Sequence, residues 1–268
     1  MELKIISPQN TEVGKKKLPA QFSEPVRNDL IKRAVDAIAT HDRQVYGPDP
    51  RAGMKAVAPV SKRRRKYRCC YGHGISRVPR KVMTKRGSQF NWTAALISGV
   101  VKGRKAFPPK VEKVYAQKIN EKERKKAIRS ALAATMDSSI VAKRGHALPE
   151  KFPFLIANDF EKLVKTSEVF DALEKIGLSA DLERGGRRNI RPGVGKTRGR
   201  KYKRSKGPLL VVSGECDLIK AAKNIPGVDI VEIKKLNAKL LAPGSHPGRL
   251  TLFTNSAIEK LEKEKLFI

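Results

Sequence analysis

The chain has 268 residues, with 58 Lys and Arg against 26 Asp and Glu, a net charge of +32 and a pI of about 10.3. How that charge is distributed matters more than its total, because a charge spread evenly could simply aid solubility. Three cysteines, two of them adjacent, argue against a secreted disulfide scaffold. The longest apolar stretch, Ala94 to Val101, is broken by Ser98 and Gly99 and falls far short of the ~20 residues of a membrane span.

In chain order, Leu3 to Ser7 reads as a short strand and Gly14 to Lys17 as a turn. A helix is expected from Ser23 as N-cap, with Glu24 and Pro25 in its first turn and Val26, Leu30, Ile31, Ala34, Val35 and Ile38 on one face. It gives out near His41. Order returns at Asn120, which has capping-box spacing to Glu123. Ala127, Ile128, Ala131, Leu132 and Thr135 form the buried stripe of that helix. Its cations Lys122, Arg124, Lys125, Lys126 and Arg129 read first as a solvated face and second as an RNA contact. Ser139 to Ala142 is a short apolar segment. Strands are expected at Phe152–Ala157, Leu209–Ser213, Val228–Ile233 and Leu250–Thr254. Helices follow Thr166 (stopped by Gly177), Asp217, Asn237 and Asn255. Apolar strands separated by helices indicate an α/β fold: a three-layer αβα arrangement around a mainly parallel sheet.

The charge is segregated. Arg43 to Lys110 holds 18 basic residues and one acid, Asp49. Arg184 to Lys206 holds 11 basic residues and no acid. The remaining 177 residues carry 29 basic and 25 acidic groups, the balance of an ordinary domain with enough chain for one core. The expected organisation is therefore a single α/β domain over 1–268, interrupted by a long irregular basic extension at 43–110, with a second basic segment at 184–206.

Glycine and proline recur through the extension and should keep helix or strand from propagating. Alone in water it is expected to be disordered, since its charges repel and it has little to bury. Against RNA, cations neutralise phosphates and the aromatics Tyr46, Tyr67, Tyr71, Phe90, Trp92 and Phe107 offer stacking faces. Trp92 suits either a base or packing against Leu96 and Ile97. The phosphate-binding candidates here are Arg43, Arg51, Lys55, the run Lys62, Arg63, Arg64, Arg65, Lys66 and Arg68, then Arg77, Arg80, Lys81, Lys85, Arg86, Arg104 and Lys105. In the second segment they are Arg187, Arg188, Arg191, Lys196, Arg198, Arg200, Lys201, Lys203 and Arg204.

Catalytic and cofactor motifs are weak. Gly195-Lys196-Thr197 ends like a nucleotide-binding loop, but Ile190 stands where the motif needs its first glycine. Gly193, Gly195 and Gly199 miss the dinucleotide spacing by one residue, and read instead as places where backbone approaches phosphate. Cys69, Cys70 and His73 lack a second cysteine pair, so no metal is expected and the cysteines read as small side chains in a crowded channel. Cys216 reads as core filler. His41, His73, His146 and His246 are scattered. Asp159 follows a strand, but such an acid more often satisfies the next loop. No cofactor is expected, and the chain does not read as an enzyme.

Several segments, in order and spacing, resemble the large-subunit ribosomal protein four family in its archaeal and eukaryotic form. They are Glu24 to Arg27, Tyr71 to Arg80, Ala106 to Lys110, Arg129 to Ala134, Gly199 to Lys203, Asn224 to Val228, and Leu236 to Gly244 followed by Gly248 to Leu250. The resemblance covers essentially the whole chain. It implies a structural protein of the large ribosomal subunit in the cytoplasm, bound to large-subunit ribosomal RNA and other large-subunit proteins. It also implies an extension threading to the peptide exit tunnel, with Tyr71, Gly72, His73 and Gly74 at the tip beside the nascent peptide. Cys69, Cys70 and Ile75 stand at that tip where the family often has more glycine. Two arms of about 34 residues give an upper bound of roughly 110 Å on its reach. The rival readings are an RNA-processing enzyme, which needs a carboxylate or nucleophile cluster at the C-terminal strand ends, and a general nucleic-acid chaperone, for which the placed aromatics would be superfluous.

Overall fold

Short apolar strands organise the body. In the computed structural model, which describes residues 1–268, the chain divides into two units: Met1–Asp42 with Ala116–Ile268, and Arg43–Tyr115. The elements in chain order are β1 (Glu2–Ile6), β2 (Glu12–Lys17), α1 (Asn28–His41), β3 (Arg80–Arg86), β4 (Gln89–Ala94), α2 (Glu121–Met136), α3 (Ser138–Lys143), β5 (Phe154–Ile156) and α4 (Thr166–Lys175). They continue with α5 (Ser179–Gly186), β6 (Asn189–Ile190), β7 (Tyr202–Lys203), β8 (Leu209–Val212), α6 (Asp217–Ala222), β9 (Asp229–Glu232), α7 (Ala238–Leu241), β10 (Thr251–Phe253) and α8 (Asn255–Lys263). No helix is long and apolar enough to cross a membrane.

The body is a mixed α/β unit. One three-stranded sheet has the order β2-β1-β5, with β1 antiparallel to β2 and parallel to β5. A second, all parallel, has the order β10-β8-β9. A single parallel bridge joins Ile156 to Thr254. Because successive strand residues point to opposite faces, alternate residues enter two hydrophobic clusters. Leu155, Leu209, Val211 and Phe253 pack with residues of α1, α2, α7 and α8. Phe154, Ile156, Leu210, Val212 and Leu252 pack with residues of α3, α4, α5 and α6. Each such fully buried side chain contributes about 1.5–3 kcal/mol.

Several expected boundaries move, for reasons visible in the contacts. Gly14 to Lys17 is not a turn but part of β2, a lysine-bearing strand at the end of its sheet; the turn lies between Ser7 and Thr11. Ser23 does not cap α1, which starts at Asn28. The preceding residues are held extended because Ser130 Oγ accepts from Arg27 N at 2.6 Å and donates to Pro25 O at 2.9 Å, while Glu24 pairs with Arg129 at 3.0 Å. Asn120 occupies the N-cap of α2 without a side-chain bond, and Glu123 pairs with Arg33 at 3.0 Å instead of closing a capping box. The stripe Ala127, Ile128, Ala131, Leu132 and Thr135 is buried as expected. Thr254, not Asn255, caps α8 by accepting from Ala257 N. Asn237 does cap α7, and Gly177, at φ 94°, does end α4. Ser138–Lys143 is helical, capped by Asp137.

At the C-terminal ends of β5, β8 and β10 sits a carboxylate that sequence reasoning missed. It is Glu161, not Asp159, which is exposed and paired with Lys162. Glu161 accepts from Ser213 N and Oγ (both 3.1 Å), Thr254 Oγ1 (2.7 Å) and Ser256 Oγ (2.6 Å). Oε1 takes three of these bonds and Oε2 the fourth, so the carboxylate ties the strand ends together. Burial pushes its carboxyl up, but the four donors outweigh burial and hold it below its ordinary value. A depressed carboxyl adds stability above its unfolded pKa, near 4.5, and loses it as pH falls through the folded value. The urea-midpoint difference between wild type and Glu161→Gln should therefore be constant near neutrality and shrink in acid below the ordinary carboxylate pKa. A difference that grew in acid would reverse the sign of this account.

Candidate RNA interface

Outside the two basic segments, 13 of the 29 lysines and arginines pair with a carboxylate. Lys16 meets Glu259 at 2.7 Å, Arg129 meets Glu24 and Arg33 meets Glu123 at 3.0 Å, and Lys234 meets Glu264 at 2.9 Å. The basic start of α2 is paired in part: Lys126 also approaches Glu24, and Lys125 approaches Glu121 and donates to Ile268 O. Of the 25 candidate cations in the two basic segments, only Lys55 has a carboxylate partner, Asp49 at 2.5 Å. The cause is compositional, because those segments contain almost no acid. All are exposed except Arg68, Arg80, Lys81 and Arg191, which are half-buried.

The unit Arg43–Tyr115 holds regular structure that glycine and proline content had argued against. β3 and β4 pair antiparallel, with Arg80 opposite Ala94, Val82 opposite Trp92 and Arg86 opposite Gln89, and the chain reverses at Gly87-Ser88. Period-two alternation puts Phe90 and Trp92 on one face, their ring centroids 5.8 Å apart, and Tyr67 lies 5.5 Å from Phe90. Cations sit over these rings: Lys85 at 5.6 Å from Tyr67, Arg68 at 5.6 Å from Phe90 and Arg80 at 5.8 Å from Trp92. Trp92 thus packs within the hairpin on Phe90. Arg80 also donates to Ser76 O and Oγ, which fixes its head and leaves its buried Nε without a partner.

A second reversal runs through Tyr71–Gly74, where Gly72 and Gly74 have φ of 77° and 64°, the left-handed region that glycine enters without strain. Cys69 and Cys70, just before it, are buried within the protein itself. Cys69 Sγ lies 3.7 Å from Tyr71 O and 3.9 Å from His73 Nε2, and Arg77 lies over the Tyr71 ring at 4.5 Å. At the ends of this unit Tyr46 and Tyr115 stack at 6.3 Å with Arg43 4.2 Å from the Tyr115 ring. Tyr115 was missed because it lies five residues beyond the last cation of the segment.

The second segment is a closed loop. β6 and β7 pair at its neck, Arg191 N donates to Lys201 O at 2.8 Å and Arg191 Nε to Arg200 O at 3.1 Å. Gly195 lies against the Arg191 side chain, where a Cβ would meet Arg191 Cδ at 2.8 Å. Three glycine backbones meet at the base: a Cβ on Gly227 would lie 2.9 Å from Gly185 Cα, and one on Gly207 would lie 3.0 Å from Gly227 O. Arg184, inside α5, bonds Asp181 at 2.9 Å and Lys206 O at 2.7 Å, fixing both ends of the segment rather than facing out. Arg188 lies 4.6 Å from the Tyr202 ring. Cys216 is half-buried against the core, and burial pushes its thiol up.

An α/β body whose charges nearly balance, with two acid-poor and mostly exposed cationic segments, defines the class as a polyanion-binding protein. The comparisons with known proteins agree and go further. The model of the ribosomal protein L4/L1 family matches residues 16–264. Large ribosomal subunit protein uL4 of Nanoarchaeum equitans is 48% identical over 268 residues, covering 100% of both chains. Those of Methanopyrus kandleri and Archaeoglobus fulgidus are 42% and 41% identical, over 98% and 97% of this chain and 98% of each relative. The chain belongs to the ribosomal protein L4/L1 family.

Proposed function

We propose that this chain is a structural, non-enzymatic constituent of the large ribosomal subunit that binds large-subunit ribosomal RNA beside other large-subunit proteins. Its full-length similarity to proteins named for that subunit supports this. The observation that carries the RNA assignment is the contrast in pairing: 13 of the 29 cations outside the segments meet a carboxylate, against one of the 25 segment candidates. Unpaired, closely spaced cations gain most from a phosphate backbone, where binding releases condensed counterions. In this reading Arg43–Lys110 is one RNA-threading insertion in a single α/β domain. The bridge between Ile156 and Thr254 and the two-sided hydrophobic packing favour one mainly parallel sheet between two helical layers. A general nucleic-acid chaperone is disfavoured by the ordered cation–aromatic face on β3 and β4.

The finer proposal places Tyr71, Gly72, His73 and Gly74 at the wall of the peptide exit tunnel, near the nascent peptide. Its support is the exposed glycine turn itself and its position in the extension. Residues 80–94 double back on themselves as β3 and β4, which departs from a single out-and-back excursion and shortens the reach available to one arm. Deleting Tyr71 to Val78 tests the placement. The shortened protein should still enter large subunits, because most cations of both segments remain, while crosslinks from a nascent peptide to this chain disappear. Failure to incorporate, or no crosslink to the intact turn, would refute the tunnel placement and leave only an assembly role.

A further inference from the structure

Outside both groups of candidate cations, the body contains a cavity of about 880 Å³. Its lining includes four cations, Lys143, Arg144, Arg184 and Lys206, and no acid. Lys206 is shared with Asp229 at 3.0 Å and Arg184 with Asp181 at 2.9 Å, but Lys143 and Arg144 have no carboxylate partner. Arg144 is half-buried and donates only to backbone, to Pro243 O at 2.6 Å and to His246 O. Burial, reinforced by the nearby charges of Arg249 and Arg184, lowers its pKa to about 10, so at neutral pH it is a charged guanidinium lacking a counter-ion. An anion bound there would relieve that repulsion.

The cavity is much larger than one phosphate group needs and falls within the ~300–1,000 Å³ of small-molecule sites. Another part of its lining is apolar: Val26, Ile140, Pro243 and Pro247. Asn28 and Ser205, also in the lining, make no side-chain hydrogen bond within the protein and are free to read a polar edge. Cations for a phosphate, an apolar wall for a ring face and two idle polar groups match one nucleotide. Sequence-specific RNA recognition takes place largely at single-stranded loops and bulges, where a base can be splayed out of its stack.

We infer that this cavity takes a single extruded nucleotide of RNA, with its phosphate on Arg144 and Lys143 and its base against Val26, Ile140 and Pro247. The inference rests on the RNA-binding function proposed above. It adds a contact that uses none of the 25 candidate cations, with Arg184, Ser205 and Lys206 of its lining coming from the 184–206 segment.

The test uses the full chain and four probes: adenosine 5′-monophosphate, uridine 5′-monophosphate, inorganic phosphate and adenosine. At least one mononucleotide should shift the methyl resonances of Val26 and Ile140 and bind about tenfold more tightly than inorganic phosphate or adenosine, a difference of ~1.4 kcal/mol. Arg144→Gln is the obvious variant, but Arg144 also holds the Pro243–Ser245 turn. Lys143→Glu combined with His246→Glu therefore serves as the main variant, because both residues are exposed and neither side chain has a partner. That variant should weaken mononucleotide binding about tenfold, while neutralising Lys62 to Arg68 should leave it unchanged. The inference is overturned if inorganic phosphate binds as tightly as either nucleotide, if the double variant binds like wild type, or if an oligo-aspartate peptide competes as well as the nucleotide. Loss of the cavity signal with salt-sensitive RNA binding intact would remove this site alone; loss of both would remove the RNA-binding function as well.

Discussion

Arg249→Ala is expected to cost about 3 kcal/mol of folding stability, at the lower end of the range for breaking a buried ion pair. Arg249 is the largest fully buried side chain of the protein, with 1% of its side chain exposed. It enters the core as a three-way connector. Nε donates to Gly207 O at 3.0 Å, Nη1 to Leu240 O at 3.1 Å and Nη2 to Asp229 Oδ2 at 2.6 Å. These bonds join the end of the second basic segment, α7 and the start of β9. Burial pushes the Asp229 carboxyl up, but the Arg249 charge, with help from Lys206, outweighs it and holds the group below its ordinary value. Truncation would leave two carbonyls without a donor, open a cavity and leave Asp229 with Lys206 alone. The cost stays below the upper limit because Asp229 is partly exposed and keeps that lysine. Against a typical total stability of about 5–15 kcal/mol, such a loss is large. Urea unfolding of the full chain should show it as a lowered midpoint. Arg249→Lys should recover little, since an ammonium cannot span three acceptors in a fixed fork. A loss below about 1 kcal/mol would mean that the connector adds nothing beyond packing.

Arg249 also shows where sequence reading stops. An isolated arginine between Gly248 and an apolar strand looks like a surface residue, and only the three convergent acceptors reveal its burial. The strands β5 and β8 were legible because they are apolar along their whole length, β10 because Leu252 and Phe253 follow Leu250 closely, and α2 because its stripe repeats with helical period. The polybasic segments were legible because charge segregation is a local property of sequence. The hairpin was not. β3 reads Arg-Lys-Val-Met-Thr-Lys-Arg and has no fully buried residue, so no apolar alternation announces it; its order comes from pairing with β4 and from cations over aromatic rings. Boundaries set by distant partners were equally invisible. Ser130 hydrogen-bonds the residues ahead of α1 from more than 100 positions away. Glu161 was hidden because its donors come from Ser213, Thr254 and Ser256, which only the fold brings together.

The central claim is that the unpaired cations of the basic segments hold RNA phosphates. The salt dependence of binding measures this directly. Each phosphate neutralised on duplex contributes about −0.9 to the slope of log affinity against log salt, and about −0.7 on a single strand. Lys62, Arg63, Arg64, Arg65, Lys66 and Arg68 are six cations without a carboxylate partner within seven residues. Replacing all six with glutamine and titrating the full chain against large-subunit RNA from about 50 to 200 mM salt should flatten the slope by roughly 4–5, so that the unsubstituted chain loses about a thousandfold more affinity than the variant across that range. The same six-fold replacement with an unchanged slope would contradict the account, because those side chains would then not be touching phosphates.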